Sequence, residues 1–212
     1  MGKEFLELFE QWADSYDSSV SGHDIEYKEV FKNYEKILGE VAARSNGHVL
    51  EFGVGTGNLT ESLLAKGLKV TGIEPSPAMR KIAEEKLAGR VAVLGGDFLS
   101  FPEVEPFQTV VSTYAFHHLT DEEKAEAIAR YGNLLAPGGK IVFADTMYES
   151  AEAYKEAITD AVSKSFHNLA EDLQREYYTT IPILTEILET NGFTAAFEKC
   201  NDFVWIMEGE KR

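Results

Sequence analysis

The sequence predicts an α/β fold: one seven-stranded, mostly parallel sheet with helices on both faces, finished by a C-terminal antiparallel hairpin. Three observations predict it. Residues 48–57, His-Val-Leu-Glu-Phe-Gly-Val-Gly-Thr-Gly, read as a buried apolar strand entering a glycine-rich turn, and a helix follows from Asn58 with Leu59, Leu63 and Leu64 on one face. Short strand-like runs recur at 69–74, 90–95, 109–114 and 140–145, most of them separated by segments of helical spacing. The last two runs, 193–198 and 203–207, are joined by a turn at Asn201-Asp202 that leaves room only for a hairpin.

Composition narrows the class of function. The 212 residues fit one domain with a sizeable core, taken as a single unit over 1–212 with an N-terminal helical lid at 1–45 and a helical insertion at 146–191. The 36 acidic residues against 20 basic ones set a formal charge of -16, which repels phosphate backbones and anionic membranes. Nucleic acid and membrane partners are therefore not expected. Cys200 is the only cysteine, so no internal disulfide forms, and no metal-ligand spacing surrounds it. No run approaches the ~18 apolar residues of a membrane span, and a cytoplasmic location is expected.

Taken in order, the chain opens with Phe5, Leu8, Phe9, Trp12, Ala13 and Tyr16 at the spacing of an amphipathic helix. A small polar loop at 18–24 leads to a second helix with Tyr27, Val30, Phe31, Tyr34, Ile37, Leu38 and Val41 on one stripe; His23 and Tyr27 are candidates to border a cavity. In the glycine turn, Gly53, Gly55 and Gly57 have no β-carbon, so the backbone turns sharply and a ligand can approach its amides. The spacing is E-x-G-x-G-x-G from Glu51, whereas a dinucleotide turn, G-x-G-x-x-G, would place its third glycine at Asn58.

The strand at 69–74 ends in Glu74, 21 residues after Gly53, where nucleotide-binding α/β folds place the acid that accepts both ribose hydroxyls. Ser76 is a plausible N-cap and Pro77 suits the first turn of a helix that buries Met79, Ile82, Ala83 and Leu87 and closes at Gly89. A third strand leads into Gly96-Asp97-Phe98, and a fourth into Tyr114-Ala-Phe-His-His-Leu119. Thr120-Asp-Glu-Glu123 is a capping box for a helix running through Ile128, Tyr131 and Leu135 to the Pro137-Gly-Gly139 turn. Asp145 ends the fifth strand on the side where open α/β sheets bind ligands. Helical stripes then follow, Tyr154 to Phe166 and Leu184 to Leu188, before an Asn191-Gly192 stop; His167, Arg175, Tyr177 and Tyr178 are candidate pocket residues between them.

Five stretches resemble the class I S-adenosylmethionine (SAM) dependent methyltransferases, and among them the YrrT-like methyltransferases of Bacillus-type bacteria. They are Glu51-Phe-Gly-Val-Gly-Thr-Gly-Asn-Leu-Thr60, Gly72-Ile-Glu-Pro-Ser-Pro-Ala-Met-Arg80, Gly96-Asp-Phe98, Tyr114-Ala-Phe-His-His-Leu-Thr-Asp-Glu-Glu-Lys124 and Asn201-Asp-Phe-Val-Trp-Ile-Met-Glu208. The resemblance implies the Rossmann-like methyltransferase fold, SAM as cofactor and S-adenosylhomocysteine (SAH) as product. It implies cofactor contacts from Glu51, Gly53, Gly55, Gly57, Glu74, Pro75, Asp97, Phe98 and Tyr114. In that family the acid at Asp97 receives the adenine amino group, since a carboxylate only accepts, and the Phe98 amide meets adenine N1.

The same resemblance sets the loop after the fourth strand beside the transferable methyl, with His117 facing the cavity and His118 assigned to internal hydrogen bonding. His118 is also counted with Tyr16, Tyr27 and Tyr178 among the candidate substrate-lining residues. Residues 9–17 resemble the F-D-x-x-A-x-x-Y-D entry of small-molecule methyltransferases, where this region lids the cofactor and Tyr16 would face the ligand. Ser112-Thr-Tyr-Ala departs from the double proline and aromatic that grip planar amides and bases, which points away from base flipping and toward a small-molecule acceptor.

The implied chemistry is an in-line displacement at an already activated sulfonium methyl. Orientation alone can supply about 7–11 kcal/mol, so no covalent residue is needed. A general base, worth roughly 10²- to 10⁴-fold, is needed for an amine or hydroxyl acceptor, and His117 is the candidate. A thiol or carboxylate acceptor needs none. Two other classes compete: an NAD-dependent oxidoreductase, favoured by the glycine turn and Glu74 but opposed by Asp97 and the terminal hairpin, and a SAM-binding protein without catalysis.

Overall fold

The computed structural model describes residues 24–212; the expected N-terminal helix with Tyr16, and His23, lie outside the described residues. Among the described residues there are eight strands: β1 (His48–Phe52), β2 (Lys69–Glu74), β3 (Ala92–Gly95), β4 (Thr109–Thr113), β5 (Lys140–Tyr148), β6 (Thr179–Thr180), β7 (Ala196–Lys199) and β8 (Val204–Glu210). Seven lie in the order β3-β2-β1-β4-β5-β8-β7, and β6 joins beside this path on β5. The first five pair in parallel, with Val49 opposite both Val70 and Thr109 and with Val111 opposite Val142. β8 runs antiparallel to both β5 and β7, closing the sheet as the expected hairpin.

The described helices are α1 (Tyr34–Arg44), α2 (Asn58–Ala65), α3 (Pro77–Leu87), α4 (Asp121–Leu134), α5 (Ala151–Ser163), α6 (His167–Arg175) and α7 (Ile181–Thr190). Successive strand residues point to opposite faces, so the central strands must be apolar on both sides. Val49, Val111 and Val142 pack with Ile37, Leu38, Val41, Leu63 and Leu87 from α1, α2 and α3. Leu50, Phe52, Val110, Ile141 and Phe143 pack with Ala127, Ile128 and Tyr131 of α4 and with Leu184 and Leu188 of α7. A third cluster, built on Val30, Tyr148, Ala161, Leu169 and Leu173, seats α5 and α6 beyond the carboxyl end of β5.

Two expectations change. The helix read from Tyr27 begins only at Tyr34, because Asn33 is left-handed at φ 66° and residues 25–32 form turns. A distant side chain holds them there: the Asn201 amide donates to the carbonyls of Val30 and Lys32 at 3.0 and 2.9 Å. The second change is the short β6, which lies inside the stretch read as helical. Its two β-branched threonines pair with Met147 and Tyr148, so β5 continues past Asp145 and the helical excursion starts after Tyr148.

β1 has β2 on one side and β4 on the other, so the direction of strand succession reverses there. In such sheets the crevice outside the carboxyl ends at the reversal is the ligand site. The turns after β1, β2, β3 and β4 all open on it.

Candidate active site

Each wall of this crevice follows from its own local chemistry. The glycine turn after β1 needs left-handed backbone at Gly53 (φ 67°), Gly55 (φ 57°) and Gly57 (φ 91°), which glycine adopts without Cβ strain. A β-carbon on Gly53 would also lie 2.7 Å from the Ala115 Cβ, so the glycine backbone is packed closely against the Ala115 side chain of the loop after β4. Gly57 serves as the N-cap of α2. After β2, Ser76 caps α3 by accepting from the Met79 amide, with Pro77 in the first turn as expected.

The two strand-end acids behind this turn are buried. Glu74 is 4% exposed; its Oε2 accepts from the Gly55 amide and its Oε1 from the Ser76 amide, both at 2.8 Å. Burial pushes its carboxyl up to about 6 while those two amides pull it down. Glu51, 1% exposed, accepts the Thr60 hydroxyl at 2.7 Å through Oε2, and its Oε1 has no hydrogen-bond partner among the described residues. Burial pushes Glu51 up to about 8, against the Thr60 hydrogen bond.

A cleft of about 600 Å³, counted out to its mouth, is lined by Gly53, Gly55, Pro75, Asp97, Phe98 and Tyr114 among others. Six of the nine expected cofactor residues therefore share one wall, and Glu51, Gly57 and Glu74 stand behind it. Asp97 folds its own turn by accepting from the Leu99 and Ser100 amides through Oδ1, both at 2.9 Å. Phe98 stacks on Phe52 and closes the floor. Tyr114 takes φ 53°, unusual for a bulky side chain, and packs its ring on Phe31 and Tyr34. Met79, Thr113 and Leu119 also line the cleft; in sequence they read only as apolar or strand-end positions.

The two histidines part company, and His117 does not line the cleft as expected. His118 lines the cleft, and His117 lies in a buried polar cluster beside it. Residues 116–118 form a single 3₁₀ turn whose Phe116 and His117 amides both donate to Asp145 Oδ2, at 2.7 and 3.0 Å. Asp145 Oδ1 meets His117 Nδ1 at 2.6 Å, and Glu176 Oε2 lies 3.4 Å from His117 Nε2. Burial lowers the His117 pKa, but the two carboxylates outweigh it and hold the group above its ordinary value. His118 moves the other way: burial and the neighbouring His117 push it well below, so it is neutral at pH 7.

The remaining candidates divide. Tyr178 stacks on His117 with ring centroids 5.0 Å apart and donates to Glu176 at 2.6 Å. Tyr27 donates to Asp172 and packs in the third cluster, away from the cleft lining. His167, Arg175 and Tyr177 are exposed, Arg175 pairing with Asp172. Two functional-looking residues had no sequence signal: Glu176, an isolated acid after α6, and Lys124, 1% exposed, whose ammonium donates to the Leu119 and Tyr177 carbonyls.

Comparison with known proteins defines the class. Residues 49–139 match the "Methyltransferase domain" family, a span from β1 to the turn before β5. A solved magnesium protoporphyrin IX methyltransferase from Synechocystis with bound SAH superposes with TM-score 0.72 at 16% identity, over 97% of this chain and 99% of that one. The structure titled DhpI-SAH complex gives 0.70 at 19%, over 97% and 94%. Full-length relatives are closer: an uncharacterized methyltransferase of Geobacillus kaustophilus is 58% identical over 100% of this chain and 99% of its own. The uncharacterized methyltransferase YrrT of Bacillus subtilis is 56% identical over 100% of both. The chain belongs to this YrrT-like family of methyltransferases.

Proposed function

We propose that the cleft binds SAM and that the enzyme transfers its methyl to a small-molecule acceptor by in-line displacement. One observation carries the reading: the Gly53 and Gly55 turn, Pro75 beside the amide-held Glu74, and the Asp97 turn line one cleft from three successive strand ends, with Glu74 just behind the wall. That arrangement suits a nucleoside with its ribose hydroxyls on Glu74 and its adenine amino group on Asp97. Glu51, Gly57, Pro75, Phe98 and Tyr114 complete the proposed cofactor wall. Transfer then depends on holding the acceptor opposite the departing sulfur, a matter of orientation rather than covalent catalysis.

For an acceptor that arrives protonated, His117 is the proposed general base. Asp145 holds its Nδ1, as an orienting carboxylate holds a catalytic imidazole, and Nε2, 3.4 Å from Glu176, is the nitrogen that would take the proton. With an overall charge of -16 the protein favours a neutral or cationic acceptor in the approach to the cleft. Calorimetric titration with SAH tests the cofactor assignment, run on the intact protein and on Glu74→Ala and Asp97→Ala, with NAD as control. Binding of SAH that both substitutions weaken at least tenfold supports it. A response to NAD alone, or SAH binding indifferent to both substitutions, overturns it.

A further inference from the structure

The cluster beside the cleft has a composition that methyl transfer does not require. His117, His118 and Glu176 bring three ligand atoms, two imidazole nitrogens and a carboxylate oxygen, within 4.8 Å of one another. Glu176 Oε2 is 3.4 Å from His117 Nε2, and Glu176 Oε1 is 4.0 Å from His118 Nδ1. Ligands about 2.0–2.1 Å from a tetrahedral zinc ion sit about 3.4 Å apart; the His117–Glu176 pair already has that spacing, and the wider pairs, within 4.8 Å, close on one ion by rotation of the His118 and Glu176 side chains.

The surroundings point the same way. Asp145 accepts at His117 Nδ1, which leaves Nε2 as the ligand nitrogen and directs it at Glu176, the carboxylate–histidine pattern that supports metal sites. Tyr178 donates to Glu176 Oε2 and stacks on His117, fixing both. The Tyr177 amide donates to the His117 carbonyl at 3.0 Å and ties the two segments that supply the ligands. The side chains of Asp145 and Glu176, only 3% and 9% exposed, flank the His117 imidazole, and the charges of Lys124 and Arg175 also act on this cluster. Lys124, the nearby buried cation, has its ammonium on the Leu119 and Tyr177 carbonyls and on Asp121. Two buried carboxylates beside two imidazoles present the oxygen and nitrogen donors that a transition-metal cation accepts.

We infer that His117 Nε2, His118 Nδ1 and Glu176 form a binding site for a divalent transition-metal ion of the zinc type, at the edge of the cleft lined by His118. Three protein ligands leave a coordination position open, as in catalytic rather than structural zinc sites. The inference stands on this cluster alone and not on SAM binding. It does make a competing claim on the His117 Nε2 proposed above as a base, so bound zinc would suppress base catalysis there.

The test uses the full chain, purified without a histidine tag, stripped with chelator and dialysed. Zn²⁺ is titrated calorimetrically and Co²⁺ by its visible absorption, with SAH titrated into the same samples. The expected result is one ion per chain, intense Co²⁺ bands of low coordination number, and zinc affinity at least tenfold weaker in Glu176→Gln and in His118→Gln. His167→Ala, at an exposed histidine, should bind as the parent does. Should either ligand variant fail to fold by circular dichroism, X-ray absorption at the zinc edge of the parent counts the imidazole ligands, two being expected. No stoichiometric binding, equal affinity in folded variants, or fewer than two imidazoles overturns the site. SAH binding without metal binding removes this inference and leaves the cofactor reading standing, and the reverse outcome does the opposite.

Discussion

Gly53→Ala probes the joint on which the cleft is built. Gly53 sits at φ 67°, where a β-carbon crowds the following carbonyl at a cost of about 1–2 kcal/mol. The added Cβ would also lie 2.7 Å from the Ala115 Cβ, far inside the roughly 3.5–4.0 Å of carbon contact. Neither atom ends a flexible side chain, so relief requires the β1 turn and the loop after β4 to separate; overpacking of that kind costs about 1–3 kcal/mol. The sum is about 2–5 kcal/mol, reduced by up to about 1 kcal/mol because alanine restricts the unfolded chain. The two contributions can be separated. Ala115→Gly removes the steric one and leaves the backbone one, so the double variant should recover about 1–3 kcal/mol relative to the sum of the single changes. Urea unfolding of the four proteins, with unchanged m values, reads this directly. If Ala115→Gly recovers nothing, or Gly53→Ala unfolds at the parental midpoint, close approach to the β4 loop is not what demands glycine at position 53.

Three further perturbations follow from the buried polar groups. Glu51 is pushed to about 8 in the folded chain, while an unfolded glutamate titrates near ~4.3, so the folded state holds a proton that the unfolded state releases in between. The parent should lose stability as pH rises across that window and level off above it. Glu51→Gln should therefore gain on the parent from pH 5 to pH 8, by at most about 1.4 kcal/mol per pH unit, in paired urea titrations; a constant difference would refute this. Asp145→Asn weakens the acceptor of three backbone amides and of the His117 ring, and should cost about 3–5 kcal/mol in urea unfolding. In the same variant the His117 pKa, followed by NMR of its imidazole protons, should fall, since Asp145 helps to hold it up. Ser76→Ala removes the acceptor for the Met79 amide at the start of α3 and should cost about 1 kcal/mol, with thermal unfolding as the check.

Much of the frame was legible because it is local. The hydrophobic runs that became β1, β2, β4 and β5 need apolar residues on both faces, and the caps at Ser76 and Thr120 are chemistry within four residues. Glu74 could be placed by its distance from the glycine turn, while Asp97 was picked out only through the family resemblance of Gly96-Asp-Phe98. Where local and distant bonds competed, the sequence reading was outweighed. The stripe from Tyr27 to Val41 has helical spacing, yet Asn201, distant in sequence, holds the carbonyls of Val30 and Lys32 out of a helix. β6 is two residues long and exists only through its pairing with β5, so no periodicity could announce it.

From its sequence alone, this chain declares a doubly wound sheet, a glycine turn after the first strand, and acids at or just beyond the ends of the two strands that follow in the chain. These are properties of neighbouring residues and of the order in which strands and helices alternate. Which histidine meets the cleft was decided only in three dimensions, because His117 and His118 are adjacent in the chain and their directions depend on where Asp145 accepts. Glu176 joins them through the packing of α6 and the loop before β6 against the sheet, across a sequence separation over which no spacing rule operates. Burial, too, is collective: Lys124 and Glu176 read in sequence as ordinary charged positions, and the shift of each toward its neutral form follows from the water that the assembled core excludes.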